Sequence, residues 1–316
     1  MGAVYANTLA RINSGRLLTD EKYKRLADAE YSAALKMLAD YGYGGGEASD
    51  VDAVIARETD ELIAFIEENG VNRYASRALL CRFLYANAKV LYKSRFVAVD
   101  FAGALYTVGE DLTGIASGDY AALDDTMRDA LEALDASESA DSRPRYIDAV
   151  LTRARFADEL HCARKSHSRV LVKYVVSEID LNNILAMFRV NALGWKAEAL
   201  SELFIPGGTV DEETLTDCVG AELSKIASDL GHTPYAPIVD SLCEKGYEYL
   251  SGFETGSDDY LYMLTDAGVT SLDKFDVFLR YVLAKLTELK MVKMILTCIK
   301  GGVREEIPKR MRCLDA

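Results

Sequence analysis

Apolar side chains recur at intervals of three and four along most of the chain, the period that lays one stripe along an α-helix. From Phe275 they fall at Leu279, Val282, Leu286 and Leu289, which predicts a long helix over residues 275–299. Thr270 stands where an N-cap would open it, with Asp273 in the place a capping box gives to Glu or Gln. A second stripe, Val54, Ile55, Leu62, Phe65 and Ile66, predicts a helix opened by Ser49 and Asp52. Asn69-Gly70 would close it through a left-handed terminus. Residues 170–179 carry Val170, Val172, Val175 and Val176 and could form a buried strand. Leu171, Tyr174, Leu181, Leu185 and Phe188 keep helical spacing through and beyond that run, so helix is the better reading. Loops are marked at residues 41–46, 135–144 and 206–208 by clusters of Gly, Pro, Ser and Asp.

The strongest helices repeat. Residues 82–93, 177–189 and 285–295 superpose so that Leu84, Asp180 and Glu288 share one position, and Asn87, Asn183 and Met291 another. Each copy has upstream a glycine followed by a polar helix start: Gly15 with Thr19, Gly114 with Ser117, Gly208 with Asp211. The spacing of roughly 100 residues is too long for a solenoid unit and is the size of a small domain. The expectation is an all-α chain of three tandem helical domains, residues 1–104, 105–203 and 204–316.

Composition narrows the function. The chain has 316 residues, 50% of them apolar and 27% charged, with only five prolines, which suits a soluble protein of long helices. Thirty-six Lys and Arg face 50 Asp and Glu, for a net charge of −14. Such a surface repels nucleic-acid phosphate and anionic lipid headgroups, so neither nucleic-acid binding nor direct lipid insertion is expected. The six cysteines include no CxxC pair and read as reduced packing thiols. No leader-like apolar run follows Arg11 and Arg16, and no window is apolar enough to span a bilayer. The expected location is cytoplasmic, or peripheral to a membrane.

Reactive chemistry is hard to find. The glycine-rich stretch 42–46 lacks the Lys and hydroxyl of a phosphate loop and leads into Glu47, Asp50 and Asp52, the wrong sign for an anion. His161 and His167, six apart on a helix, would point about 120° from each other and could not share a metal with Cys162. His232 reads as a loop residue. Fifty carboxylates make chance acid pairs inevitable, so proximity nominates no general acid or base. No catalytic, cofactor-binding or metal-binding residue is assigned, and no cofactor is expected. Charge is nonetheless uneven. Residues 47–68 hold eight acids against Arg57, and the chain from Lys285 onward holds eight bases against four acids. These runs are either two solvated helix faces or docking surfaces of opposite sign.

At the repeat helices the sequence resembles the C-subunit family of the V-type (A/V-type) ATP synthases, related to the d-subunit of the eukaryotic V-ATPase. The resemblance rests on Glu178-Ile-Asp-Leu-Asn-Asn-Ile184 with Arg189, on Phe204-Ile-Pro-Gly-Gly208, and on Ala284-Lys-Leu-Thr-Glu-Leu-Lys-Met-Val-Lys-Met-Ile295. Tyr5-Ala-Asn-Thr-Leu-Ala-Arg11 followed by Gly15-Arg-Leu-Leu18 also fits. Departures are Met291 and Lys293, where the family tends to carry Asn and Arg, Leu84 in place of an acid, and Pro308 in the basic C-terminal segment. The resemblance implies three similar domains about a pseudo-threefold axis, shaped as a funnel. It also implies a non-catalytic central-stalk role at the cytoplasmic face of the membrane, between a rotating shaft and a proteolipid ring, in ATP-coupled proton or sodium transport. The competing reading is a helical adaptor of an unrelated assembly.

Overall fold

The computed structural model describes residues 3–46, 50–70, 72–97, 102–137, 144–265 and 276–311. Their regular structure is entirely helical. The helices are α1 (Ala3–Ser14), α2 (Asp20–Asp28), α3 (Tyr31–Asp40), α4 (Val51–Asn69), α5 (Arg73–Lys93), α6 (Gly114–Ser117), α7 (Asp125–Asp135) and α8 (Pro144–Lys165). They continue with α9 (Arg169–Ala192), α10 (Ala197–Leu203), α11 (Glu212–Asp217), α12 (Leu223–Leu230), α13 (Ala236–Lys245), α14 (Leu250–Met263), α15 (Asp276–Gly301) and α16 (Ile307–Arg310).

Side chains set where the helices begin. Asn72 accepts from the Tyr74 and Ala75 amides at the head of α5, and Ser168 accepts from Leu171 at the head of α9. Asp50 caps α4, taking the Asp52 amide at 3.2 Å. The valine-rich run lies wholly inside α9, where Leu171, Tyr174, Val175 and Ile179 are buried and Lys173 is exposed, the spacing of one buried helix face. Gly70 closes α4 at φ −64°, so the left-handed terminus expected there does not form; its N–H bonds to the Ile66 carbonyl instead. The capping pair Thr270 and Asp273, with Ser49, lies outside the described residues. Gly114 is the first residue of α6 rather than a turn upstream of it, and Thr113 occupies the cap.

The chain folds as two compact units, one joining Met1–Val71 with Glu254–Ala316, the other spanning Asn72–Phe253. In the first, α1, α2, α3 and α4 all pack on α15. Their core contains Leu18, Tyr23, Leu26, Leu38, Val54, Val292, Ile295 and Leu296, and Phe65 stacks on Phe278 at 5.1 Å. In the second, α8 runs along α5 and also packs on α7 and α9. Among the described residues no helix is long and apolar enough to cross a membrane. The five described cysteines are free, and all but Cys243 are buried; Cys313 lies outside the described residues.

Candidate functional site

The repeat positions lie on three long, buried helices, α5, α9 and α15, and each faces a chain segment that the helix must hold. On α9, Asn183 is fully buried and grips the backbone of Ile205 from both sides: Nδ2 donates to the carbonyl at 2.8 Å, and the Ile205 N–H donates to Oδ1 at 2.9 Å. One turn earlier, Asp180 accepts from the Thr209 amide at 2.7 Å, the Thr209 hydroxyl at 2.6 Å, the Val210 amide at 2.9 Å and the Tyr235 hydroxyl at 2.8 Å. Four donors satisfy a carboxylate that burial would otherwise penalise heavily. The sequence supplies the close approach through Pro206-Gly-Gly208. Gly207 takes φ +108°, and a Cβ on Gly208 would sit 2.1 Å from Asp180 Oδ1.

The other two helices each keep half of this clasp. Asn87 of α5 grips Tyr106 in the same two-sided way, at 2.8 and 2.9 Å, while Leu84 takes the acid's place and is buried in the core. On α15 the acid is kept and the amide is lost. Glu288 is fully buried and accepts the Leu18 N–H, while Met291 packs among apolar neighbours. The held segment here comes from the opposite end of the chain. Asn7 of α1 adds a second tie by accepting from the Phe278 amide at 3.1 Å.

Glu288 also belongs to a buried ionic cluster. Lys285 donates to Glu288 at 3.0 Å and to Glu58 of α4 at 2.8 Å, with its ammonium 4.3 Å from the Tyr43 ring. Glu58 in turn accepts the Gly44 amide at 3.0 Å, which orders the glycine-rich turn. Burial disfavours the Lys285 cation, but Glu288 and Glu58 outweigh it and hold its pKa above the ordinary lysine value. Burial, then the Glu288 charge, raises the Tyr43 phenol. The cluster borders a cavity of about 530 Å³ whose lining includes Asn13, Arg16, Tyr41, Glu61, Phe65 and Tyr281.

The acidic and basic runs meet each other. Besides the Lys285–Glu58 pair, Lys293 of α15 reaches Asp52 at 3.2 Å, and Lys300 reaches Asp50 at 3.4 Å. Sequence reasoning treats the two runs as separate surfaces because residues more than 200 apart carry no sign of adjacency; packing of α4 on α15 supplies it.

A cluster that the sequence reading missed ties α5, α8 and α9. Arg82 and Arg155 share Glu178, at 3.5 and 2.7 Å, and both lie near Glu159, at 3.8 and 3.3 Å. Burial raises the Glu159 carboxyl to about 7 despite the arginines, and Glu159 Oε2 finds no hydrogen-bond donor. Burial also pushes Glu178 upward, but Arg155 and Arg82 prevail and hold it below the usual range. The only advance signal was the i, i+4 spacing of Arg155 and Glu159, a pattern common on exposed helices.

His161 is exposed on α8, and His167 lies beyond its end at φ 60°, not on the same helix; His232 is exposed in a turn. Among the described residues no group of three His, Cys, Asp or Glu is placed to hold a metal ion.

These features describe an all-helical protein whose long helices are clasped to their connecting segments by buried carboxylates and amides. The chain belongs to the ATP synthase (C/AC39) subunit family, whose model matches residues 6–311. It is 22% identical to the C-subunit of the A-type ATP synthase of Thermococcus onnurineus, over 97% of this chain and 89% of that one. It is 24% identical to the C-subunit of the V-type ATP synthase of Thermus thermophilus, over 73% of this chain and 76% of that one. The C-subunit of the A-type ATP synthase of Pyrococcus furiosus is 31% identical over 46% of this chain and 40% of its own length.

Proposed function

We propose that this chain is the non-catalytic central-stalk subunit of a rotary A/V-type ATP synthase. It joins the rotating shaft to the proteolipid ring at the cytoplasmic face of the membrane, so that torque passes between ATP chemistry and the movement of protons or sodium ions. Catalysis and ion binding belong to other subunits. In this reading the chain is built of three similar helical domains in tandem.

The observation that carries the reading is the near full-length match to the family, together with relatives named as ATP synthase C-subunits that align over almost all of this chain. The clasps fit the role. A joint that transmits torque must not shear between its helices, and buried hydrogen bonds at Asn183, Asp180, Asn87 and Glu288 resist that motion better than apolar contact alone. Reconstitution of the complex with and without this chain tests it. Retention of the soluble ATPase sector on membranes should fall when the chain is omitted and return when it is added back; unchanged retention would overturn the reading.

A further inference from the structure

The outward face of α1 carries three exposed large apolar side chains. At 100° per residue, Val4, Tyr5, Thr8, Arg11 and Ile12 fall within an arc of about 120°. Val4 is 52% exposed, Tyr5 49% and Ile12 54%. The opposite face, Ala6, Asn7 and Ala10, is fully buried, where α1 packs on α15. Single exposed apolar residues are ordinary on soluble proteins, but three on one short arc form a patch.

Its charge distinguishes it from the rest of the molecule. Residues 1–19 contain no acid and carry Arg11 and Arg16, both exposed, in a chain of net charge −14. A groove of about 470 Å³ opens beside the C-terminal end of α1, lined by Arg11, Ser14, Leu17, Tyr262 and Arg280 among others. The apolar strip is therefore bordered by Arg11 and, across the groove, Arg280, while Arg16 lines the adjoining cavity that also carries Glu58 and Glu61.

We infer that this face of α1 docks an acidic amphipathic helix of another protein. Apolar residues of that helix at i, i+3 and i+4 would lie on Val4, Tyr5 and Ile12, and its carboxylates would meet Arg11, Arg16 and the groove. An anionic bilayer would also favour the arginines, but the excess of acid over the whole chain opposes close approach to lipid. The inference comes from α1 and its surroundings and stands apart from the central-stalk reading.

A photoreactive amino acid placed at Thr8, the centre of the arc, tests it in the full-length chain inside the cells that make it. The expected product is a crosslink to a segment of a different protein that carries Asp or Glu and apolar residues at helical spacing. The pair V4D/I12D should lower co-purification of that protein at least tenfold, and R11E/R16E should do so most at low salt. Both pairs lie on exposed positions, and an unchanged melting temperature confirms that each variant is folded. Crosslinks to lipid, to a second copy of this chain or to nothing beyond itself would overturn the inference, as would full co-purification by V4D/I12D. A crosslink to an acidic helix of a protein outside any ATP synthase would support the surface while removing the central-stalk reading.

Discussion

The backbone N–H of Leu18 is held by the Glu288 carboxylate, 270 residues further along the chain. Through this bond the N-terminal segment takes, on α15, the place that Thr209 and Val210 take on α9, where Asp180 receives their amides. The closing segment therefore follows the long helix after one short helix, α10, in the middle of the chain but is supplied by the other terminus at its end. Leu18 and Val210 are both buried, and each is followed by the cap of a helix that starts two residues later, α2 and α11.

Glu288→Ala removes the acceptor of a buried amide and one of the two carboxylates on Lys285. Loss of one member of a buried ionic group typically costs about 3–5 kcal/mol. The same range is expected for Lys285→Met, which leaves Glu58 and Glu288 buried without their shared cation. Lys293→Ala and Lys300→Ala break exposed, solvent-screened pairs and should each leave stability nearly unchanged. Urea unfolding of the four variants gives the comparison, and a small loss in Glu288→Ala would show that the terminal clasp contributes little.

Asn183→Ala strands both the N–H and the C=O of Ile205 in the core. At about 1–3 kcal/mol for each buried group left unsatisfied, a loss of roughly 2–6 kcal/mol is expected. Asn87→Ala makes the same chemical change, but Tyr106 is 36% exposed and water can replace the side chain there. Its loss should be nearer 1 kcal/mol. Equal losses at the two positions would contradict this account of solvent access.

Gly208→Ala should displace Asp180, because the added carbon would lie 2.1 Å from Oδ1 and 3.0 Å from Cγ. Gly103 has open space around its Cβ direction, and Gly103→Ala is the matched control. Thermal melting should show a clear drop for the first and little change for the second.

Glu159 gives the stability a pH dependence of definite sign. Its folded pKa is raised to about 7, so between the ordinary carboxyl range and pH 7 the folded state binds more protons than the unfolded one. This group therefore costs nothing at pH 4 and opposes folding increasingly as pH rises to 7. Arg82, Arg155, Glu178, Tyr174 and Asp158 surround it, and Glu178, whose pKa is lowered, acts in the opposite sense at more acid pH. In urea unfolding at pH 5 and pH 8, Glu159→Gln should remove a fall in stability of about 3 kcal/mol or less. An identical pH profile in the two proteins would refute the assignment.

Helix content was legible because apolar residues at three- and four-residue spacing leave a helix as the economical way to bury them, as α9 and α15 show. The kinship of Asn87 with Asn183, and of Asp180 with Glu288, was also readable, since the same kind of side chain recurs at the same helical register. What each of these side chains holds was not readable. An Asn or Glu bonded to a backbone amide leaves no mark on the residue at the other end of the bond, and any residue but proline supplies that amide. Local periodicity thus determined the helices and the positions that repeat. Only the tertiary structure decided that Leu18 closes onto Glu288, that the acidic α4 neutralises the basic α15, and that Glu159 lies between two arginines, because these depend on distance in space between segments far apart along the chain.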